Sequence, residues 1–114
     1  MSWVVRPTVE AEQNLDAIHA YIRDSLSEPE TVKKQIARIV KAFRAIDHFP
    51  LRHRVYDEEP YRSRGVRFFP VDNYLIFYHP NEATHIVEII RIIYGARDLT
   101  AQLEHSASQS SIEL

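Results

Sequence analysis

Residues 66–94, VRFFPVDNYLIFYHPNEATHIVEIIRIIY, predict three consecutive β-strands. Branched and aromatic side chains crowd residues 66–69, 74–78 and 85–94, which is the composition typical of strands. Asp72 and Asn73 separate the first two runs, and Pro80, Asn81 and Glu82 precede the third. Because these residue types form tight turns, we expect the three strands to be neighbours in a β-meander.

Upstream of the meander, the apolar spacing lengthens from two residues to about 3.6, which indicates helices. The spacing predicts one helix from Thr8, a suitable N-cap, and a second helix after Ser27. The positions that carry these predictions are Leu15, Ile18, Ile22 and Leu26 in the first helix and Val32, Ile36, Ile39, Phe43 and Ile46 in the second. Residues 3–6 form a short strand, and residues 50–62, which have no period, are predicted to be a surface loop. The sequence therefore predicts an α+β fold, an antiparallel sheet packed on an αα-hairpin.

The last two strands are apolar on both faces. Alternation in the third strand would place Ile86, Ile90, Ile92 and Tyr94 on one face and Val87, Ile89 and Ile93 on the other. An antiparallel sheet that is covered on one side alternates apolar and polar residues instead. Two helices cover one face of a small sheet but not both, so we expect something else to cover part of the second face. The candidates are the tail after Leu99, a copy of the same chain and a different protein, of which we favour the last. The alternative is that strong twist hides this face within a monomer.

Composition limits the remaining possibilities. The 114 residues fit one domain, predicted over residues 1–103, followed by a polar tail at 104–114 that is expected to be disordered. The formal net charge is -2, which argues against a non-specific nucleic-acid binder. Cysteine is absent, so thiolate metal sites and Cys nucleophiles are excluded. No long apolar segment predicts a signal peptide or membrane span, and we expect a cytoplasmic protein that does not contact membranes.

A few charged and aromatic side chains are candidates for function. Arg64 and Arg67 flank Gly65 before the meander, where they either reach an acidic partner or form a solvated edge. Arg91 interrupts a run of isoleucines, so it either lines a concave surface or has its charge paired. The dispersed histidines and the two glycines form no metal motif or phosphate-binding loop, and no metal or cofactor is expected.

Two segments resemble the ParE branch of the ParE/RelE superfamily of bacterial toxins. They are NYLIFY at residues 73–78 and RIIYGARDL at residues 91–99, in the matching helix–helix–strand order. The resemblance implies a βααβββ microbial RNase-like fold and the toxin of a type II toxin–antitoxin system of the plasmid-stabilisation kind. It also implies a cognate ParD-like antitoxin with a ribbon-helix-helix or similar DNA-binding part, so that DNA is reached only through the antitoxin.

Two activities occur in the superfamily, and the resemblance leaves both open. ParE-type members inhibit DNA gyrase by binding it, whereas RelE-type members cut mRNA on the ribosome with a set of cationic and proton-transferring residues. Here Leu75 stands where a catalytic Arg would follow the Tyr, and no lysine follows Lys41, so the nuclease set is incomplete. We therefore expect a gyrase-binding toxin rather than an enzyme. A non-toxic, decayed module of the same fold is a further alternative.

The two activities, gyrase binding and mRNA cleavage, predict different sets of site residues. The residues expected to bind the target or the antitoxin are Arg64, Arg67, Tyr74, Tyr78, Arg91 and Arg97. The residues that a RelE-like nuclease would use are Arg64, Arg67, Arg97, Tyr94 and His79. Each has a plain structural interpretation as well: the tyrosines as half-buried sheet residues and Arg97 as an ion pair with Asp98.

Overall fold

A computed structural model describes residues 2–26 and 29–94, and the predicted tail at 104–114 lies outside them. The described elements are β1 (Val4–Pro7), α1 (Val9–Leu26), α2 (Pro29–Arg44), a 3-10 turn (Ala45–Asp47), α3 (Tyr61–Arg64), β2 (Arg67–Val71), β3 (Tyr74–Asn81) and β4 (Ile86–Tyr94). The α+β class and the helix–helix–meander order are confirmed. The short helix α3 begins at the end of the segment that was predicted to be a loop, residues 50–62, and continues to Arg64.

The four strands form one sheet in the order β1-β4-β3-β2. The meander is antiparallel throughout, but β1 pairs with β4 in parallel, with Val4 opposite Ile86 and Pro7 opposite Ile89. The sheet is therefore mixed, which corrects the expectation of a purely antiparallel one. The cause is the path of the chain. The helical hairpin carries it from β1 to β2 at the opposite edge of the sheet, and the meander then returns, so that β4 lies beside β1 and runs in the same direction. A connection of this length permits parallel pairing.

The start of α1 is fixed to the sheet by Thr8. Its hydroxyl donates to the Ile89 carbonyl at 2.8 Å, and its oxygen accepts the Ala11 N–H at 3.2 Å. The same side chain therefore caps the helix and joins it to β4. We expect Thr8→Ala to lower the free energy of unfolding by about 1–2 kcal/mol in urea titrations. Thr8→Ser, which keeps the hydroxyl, is the matched control, and equal losses in the two variants would contradict this role.

The main core lies between the helical hairpin and one face of the sheet. The predicted apolar stripe points into it: Val32, Ile39 and Phe43 on α2 and Ile46 on the 3-10 turn are almost completely buried, and Ile36 is partly buried. From the sheet this core receives Tyr74, Ile76, Tyr78, Val87, Ile89 and Ile92. The helical spacing thus predicted the core-facing side of α2 correctly.

The second face of the sheet is covered in part by the chain itself. Leu75, Phe77 and Ile93 form a second cluster with Tyr56, Tyr61 and Val66, all less than a tenth exposed. The expectation that another polypeptide must cover the second face is therefore wrong for the part of the sheet that this cluster occupies, around Leu75, Phe77 and Ile93. The segment 55–66 folds beneath the sheet, although its sequence has the charged, aperiodic character of a surface loop.

A β-bulge explains a second difference from the predicted alternation. Phe77 lies opposite Arg91 and Tyr78 lies opposite Ile89, which leaves Ile90 as the extra residue on β4. The bulge reverses the alternation, so Val87 and Ile89 share the main core with Ile92 rather than with Ile93. The predicted division of β4 into two faces was therefore wrong.

Candidate functional site

A polar cleft lies beside the second cluster, where α3 and the start of α1 meet β3 and β4. Its volume is about 610 Å³. The residues that line it are Thr8, Val9, Glu10, Tyr61, Arg64, Val66, His79, Glu88 and Ile90. Two of the predicted residues, Arg64 and His79, are thus brought together although β2 and the following turn separate them in sequence.

Polar side chains from three strands lie around this cleft. His79 on β3 and Arg6 on β1 both lie opposite Glu88 on β4 in the strand register, so the three positions cross the sheet side by side. Arg91, whose side chain is 23% exposed, pairs with Glu10 at 3.6 Å. The part of the second face beside this cleft is therefore polar and carries both arginine and glutamate side chains.

Tyr61 forms the floor between this cleft and the second cluster. Burial raises the pKa of its hydroxyl, and the Arg91 guanidinium opposes that shift. The hydroxyl therefore stays protonated at neutral pH. A guanidinium, an imidazole, a carboxylate and a phenol in one cleft can bind a polar ligand or exchange protons with it.

The Arg67 and Tyr78 side chains contact the chain itself. The Arg67 guanidinium donates to the carbonyls of Leu51 at 3.2 Å and His53 at 2.6 Å. Tyr78 is fully buried, and its hydroxyl donates to the Pro50 carbonyl at 2.6 Å. Burial raises the pKa of Tyr78 to about 12. In this structure both side chains hold residues 50–53 against the sheet, and Tyr78 presents no surface to a partner.

An apolar groove of about 250 Å³ lies on the other side of the sheet, between α1 and the ends of β3 and β4. It is lined by Asn14, Ala17, Ile18, Tyr21, Tyr74, Ile92 and Tyr94. Tyr21 is 66% exposed and Tyr94 is 55% exposed, whereas Tyr74 is buried beneath the Tyr94 ring at 5.3 Å between centroids. Burial raises the pKa of Tyr74. The groove therefore presents two aromatic side chains to the solvent.

Several of the groove and cleft residues were not predicted from the sequence. Glu10 and Thr8 carry only helix-start signals, and Glu88 belongs to an apolar strand. Tyr21 lies one helical turn after Ile18, which is the spacing that would have placed it on the same side of α1. Arg97 lies outside the described residues.

The described residues contain no group of three or more His, Asp or Glu placed to hold a metal ion. Over the same residues, no helix combines the length and the apolar character needed to cross a bilayer.

Comparisons with known proteins identify relatives of this fold. A family profile described as the ParE toxin of the type II toxin–antitoxin system parDE matches residues 5–99. A solved structure of a chromosomal ParDE toxin–antitoxin system from P. aeruginosa is similar at 20% identity with a TM-score of 0.68, covering 82% of this chain and 97% of that one.

A second similar structure is the RelBE2 toxin–antitoxin complex from Mycobacterium tuberculosis. Here the identity is 21% and the TM-score 0.61, over 84% of this chain and 94% of that one. At these identities the two structures establish the shared fold. No curated protein gave a significant match.

Proposed function

The chain belongs to the ParE toxin family of type II toxin–antitoxin systems, and on this premise we propose that it binds and inhibits DNA gyrase. In this proposal the protein acts in the cytoplasm and is neutralised by a cognate antitoxin, a ParD-like protein that brings the pair to DNA. It needs no cofactor and acts by occupying a surface of its target.

The observation that carries the proposal is the pairing of the candidate cations. Cleavage of RNA needs positive charge that is available to the phosphorane in the transition state. Arg91 is engaged by Glu10 at 3.6 Å, and the Arg67 guanidinium donates to two backbone carbonyls. Of the three predicted arginines in the described residues, Arg64 alone lines the cleft. This distribution supports a binding surface rather than a phosphodiester-cleaving site.

The apolar groove supports the antitoxin part of the proposal. An amphipathic helix inserts apolar side chains into grooves of this kind, and exposed aromatic residues supply much of the binding energy. Tyr21 and Tyr94 are exposed at the groove, and Ile18 lies at its base. The neutralising segment of the antitoxin would therefore bind between α1 and the end of β4.

A supercoiling assay tests the proposed target. We expect the antitoxin-free chain to abolish the supercoiling of relaxed plasmid by purified gyrase. Pre-mixing the chain with the small protein encoded by the neighbouring reading frame is expected to restore supercoiling. Unchanged supercoiling at a large molar excess of the chain would contradict gyrase as the target.

One observation favours a second candidate, a ribosome-dependent mRNA endonuclease. Arg64, His79 and Glu88 line the same cleft, and together they offer a cation and two proton-transferring groups. Primer extension on translated mRNA separates the two functions. Codon-phased cuts that disappear in His79→Ala would establish the nuclease, whereas an uncut message together with blocked supercoiling would exclude it.

A further inference from the structure

A third, aromatic surface is formed by the segment that follows the 3-10 turn, together with Trp3 before β1. It consists of a cavity of about 590 Å³ lined by Trp3, His48, Phe49, Pro50, Leu51 and Arg52. None of these residues takes part in the polar cleft or the apolar groove. We refer to it below as the Phe49 surface.

Phe49 is held in an unusual conformation. It is 81% exposed and its φ is 55°, in the left-handed region. Asp72 and His85 also have positive φ, but Asp and His adopt this region several-fold more often than most residues, whereas a bulky Phe is an outlier there. Strain of this kind persists where surrounding contacts impose it, and it clusters at ligand-binding positions.

The contacts that impose this conformation come from the sheet. The Pro50 carbonyl accepts the buried Tyr78 hydroxyl, and the carbonyls of Leu51 and His53 accept the Arg67 guanidinium. The Arg52 N–H closes a turn onto the Phe49 carbonyl at 3.1 Å. The segment is thus fixed by groups that point inwards, and the Phe49 ring is left in the solvent as a rigid platform.

The surroundings of this platform are aromatic, with one arginine. Of the three arginines in residues 44–54, Arg52 lines the cavity, whereas the guanidinium groups of Arg44 and Arg54 lie over the Phe43 and Phe68 rings. The exposed Arg52 guanidinium makes one long hydrogen bond, to the Ala45 carbonyl at 3.5 Å. The single carboxylate of the segment, that of Asp47, lies 3.9 Å from the His48 ring. Trp3 stacks on His85 with ring centroids 4.8 Å apart. Burial, with a smaller contribution from Arg52, lowers the pKa of the neighbouring His53.

We propose that the Phe49 surface binds single-stranded nucleic acid, with one or two bases stacked on Phe49 and Trp3 and a phosphate bound by Arg52. Aromatic platforms beside arginines are the typical means of binding unpaired nucleotides, because every base has a π-face and every linkage a negative charge. The net charge of -2 disfavours binding along an extended stretch of duplex, because such binding depends on many phosphate contacts. The site therefore binds a short unpaired segment. This contact is direct and independent of the proposed action on gyrase.

Trp3 provides the measurement, because it is the single tryptophan of the chain and lines the cavity. The full chain is titrated with single-stranded DNA and, in a separate arm, single-stranded RNA of about ten nucleotides. We expect quenching of the Trp3 fluorescence with an affinity that falls as salt rises. Quenching by one of the two polymers alone supports the site and identifies its natural ligand.

Three variants make the test specific. Phe49→Asn suits the left-handed conformation, so it keeps the fold while removing the ring, and we expect it to lower the affinity about tenfold. Arg52→Gln is expected to weaken binding and to reduce the salt dependence by about one released ion. Arg62→Gln, which removes an exposed arginine that lies outside the Phe49 surface, is the matched control for Arg52→Gln and is expected to bind like the original chain.

Two results would overturn the proposal. The first is an absence of quenching by both polymers, or quenching that Phe49→Asn leaves unchanged. The second is Trp3 fluorescence that is quenched by an acidic peptide, rich in Glu and with one Phe, but by neither nucleic acid. This result would assign the Phe49 surface to a protein partner instead.

Discussion

Phe77→Ala is expected to lower the free energy of unfolding by about 3–5 kcal/mol. Phe77 is fully buried on the second face of the sheet, where its ring lies 5.3 Å from Tyr56, 5.4 Å from Tyr61 and 5.9 Å from Phe68, measured between centroids. Removing the ring leaves a cavity lined by aromatic side chains that are themselves packed in the second cluster. The cavity therefore cannot collapse easily.

Urea unfolding of the purified chain measures this loss, and it tests whether the segment 55–66 covers the sheet without a partner. Val9→Ala is the matched control, because Val9 is 69% exposed and its truncation is expected to change stability by less than about 0.5 kcal/mol. A loss below about 1 kcal/mol in Phe77→Ala would mean that the second cluster is not packed in the isolated chain.

The second large effect is a loss of stability at alkaline pH. Burial raises the pKa of Tyr78 from its usual 10.0 to about 12. The unfolded chain therefore loses this proton at a lower pH than the folded protein does, and its contribution to stability is complete below pH 10. As the pH rises through the folded pKa this contribution is lost, and the difference between the two pKa values corresponds to roughly 3 kcal/mol.

Unfolding titrations at several pH values between 9 and about 12 test this expectation. Tyr78→Phe removes the titrating group, so its stability is expected to fall less steeply over this range. Some decline remains in the variant, because burial raises the pKa of Tyr61 and of Tyr74 as well. Equal slopes for the two proteins would show that Tyr78 is not the group responsible.

The parts of the fold that follow a regular period could be predicted from the sequence. The stripe from Val32 to Ile46 gave the buried side of α2, and the branched and aromatic runs gave the three strands of the meander. Each of these predictions depends on local spacing, which the backbone geometry translates directly into a face.

The parts that failed depend on contacts between distant residues. Tyr56 and Tyr61 lie in a charged segment without a period, and only the tertiary structure places their rings against Phe77. The bulge at Ile90 has no sequence signal either, because Ile89 and Ile90 are the same residue type and nothing marks one of them as the extra residue. Parallel pairing of β1 depends on the path of the whole helical hairpin.

The candidate site was predicted in part for the same reason. Arg64 and His79 were recognised by residue type, but their neighbour Glu88 follows only from the pairing of β3 with β4. Arg67 and Tyr78 were recognised as functional types, yet both satisfy backbone carbonyls of residues 50–53. Sequence alone does not distinguish a side chain that binds a partner from one that binds its own loop.

The central claim is that the protein acts on gyrase by binding rather than by catalysis, and its most direct test is a titration of supercoiling at two gyrase concentrations. Both concentrations should exceed the dissociation constant. We predict that the amount of antitoxin-free chain needed for half-inhibition rises in proportion to the amount of gyrase. Supercoiling that is unaffected at every ratio, while the same preparation cuts translated mRNA at amounts far below that of the ribosomes, would contradict the claim.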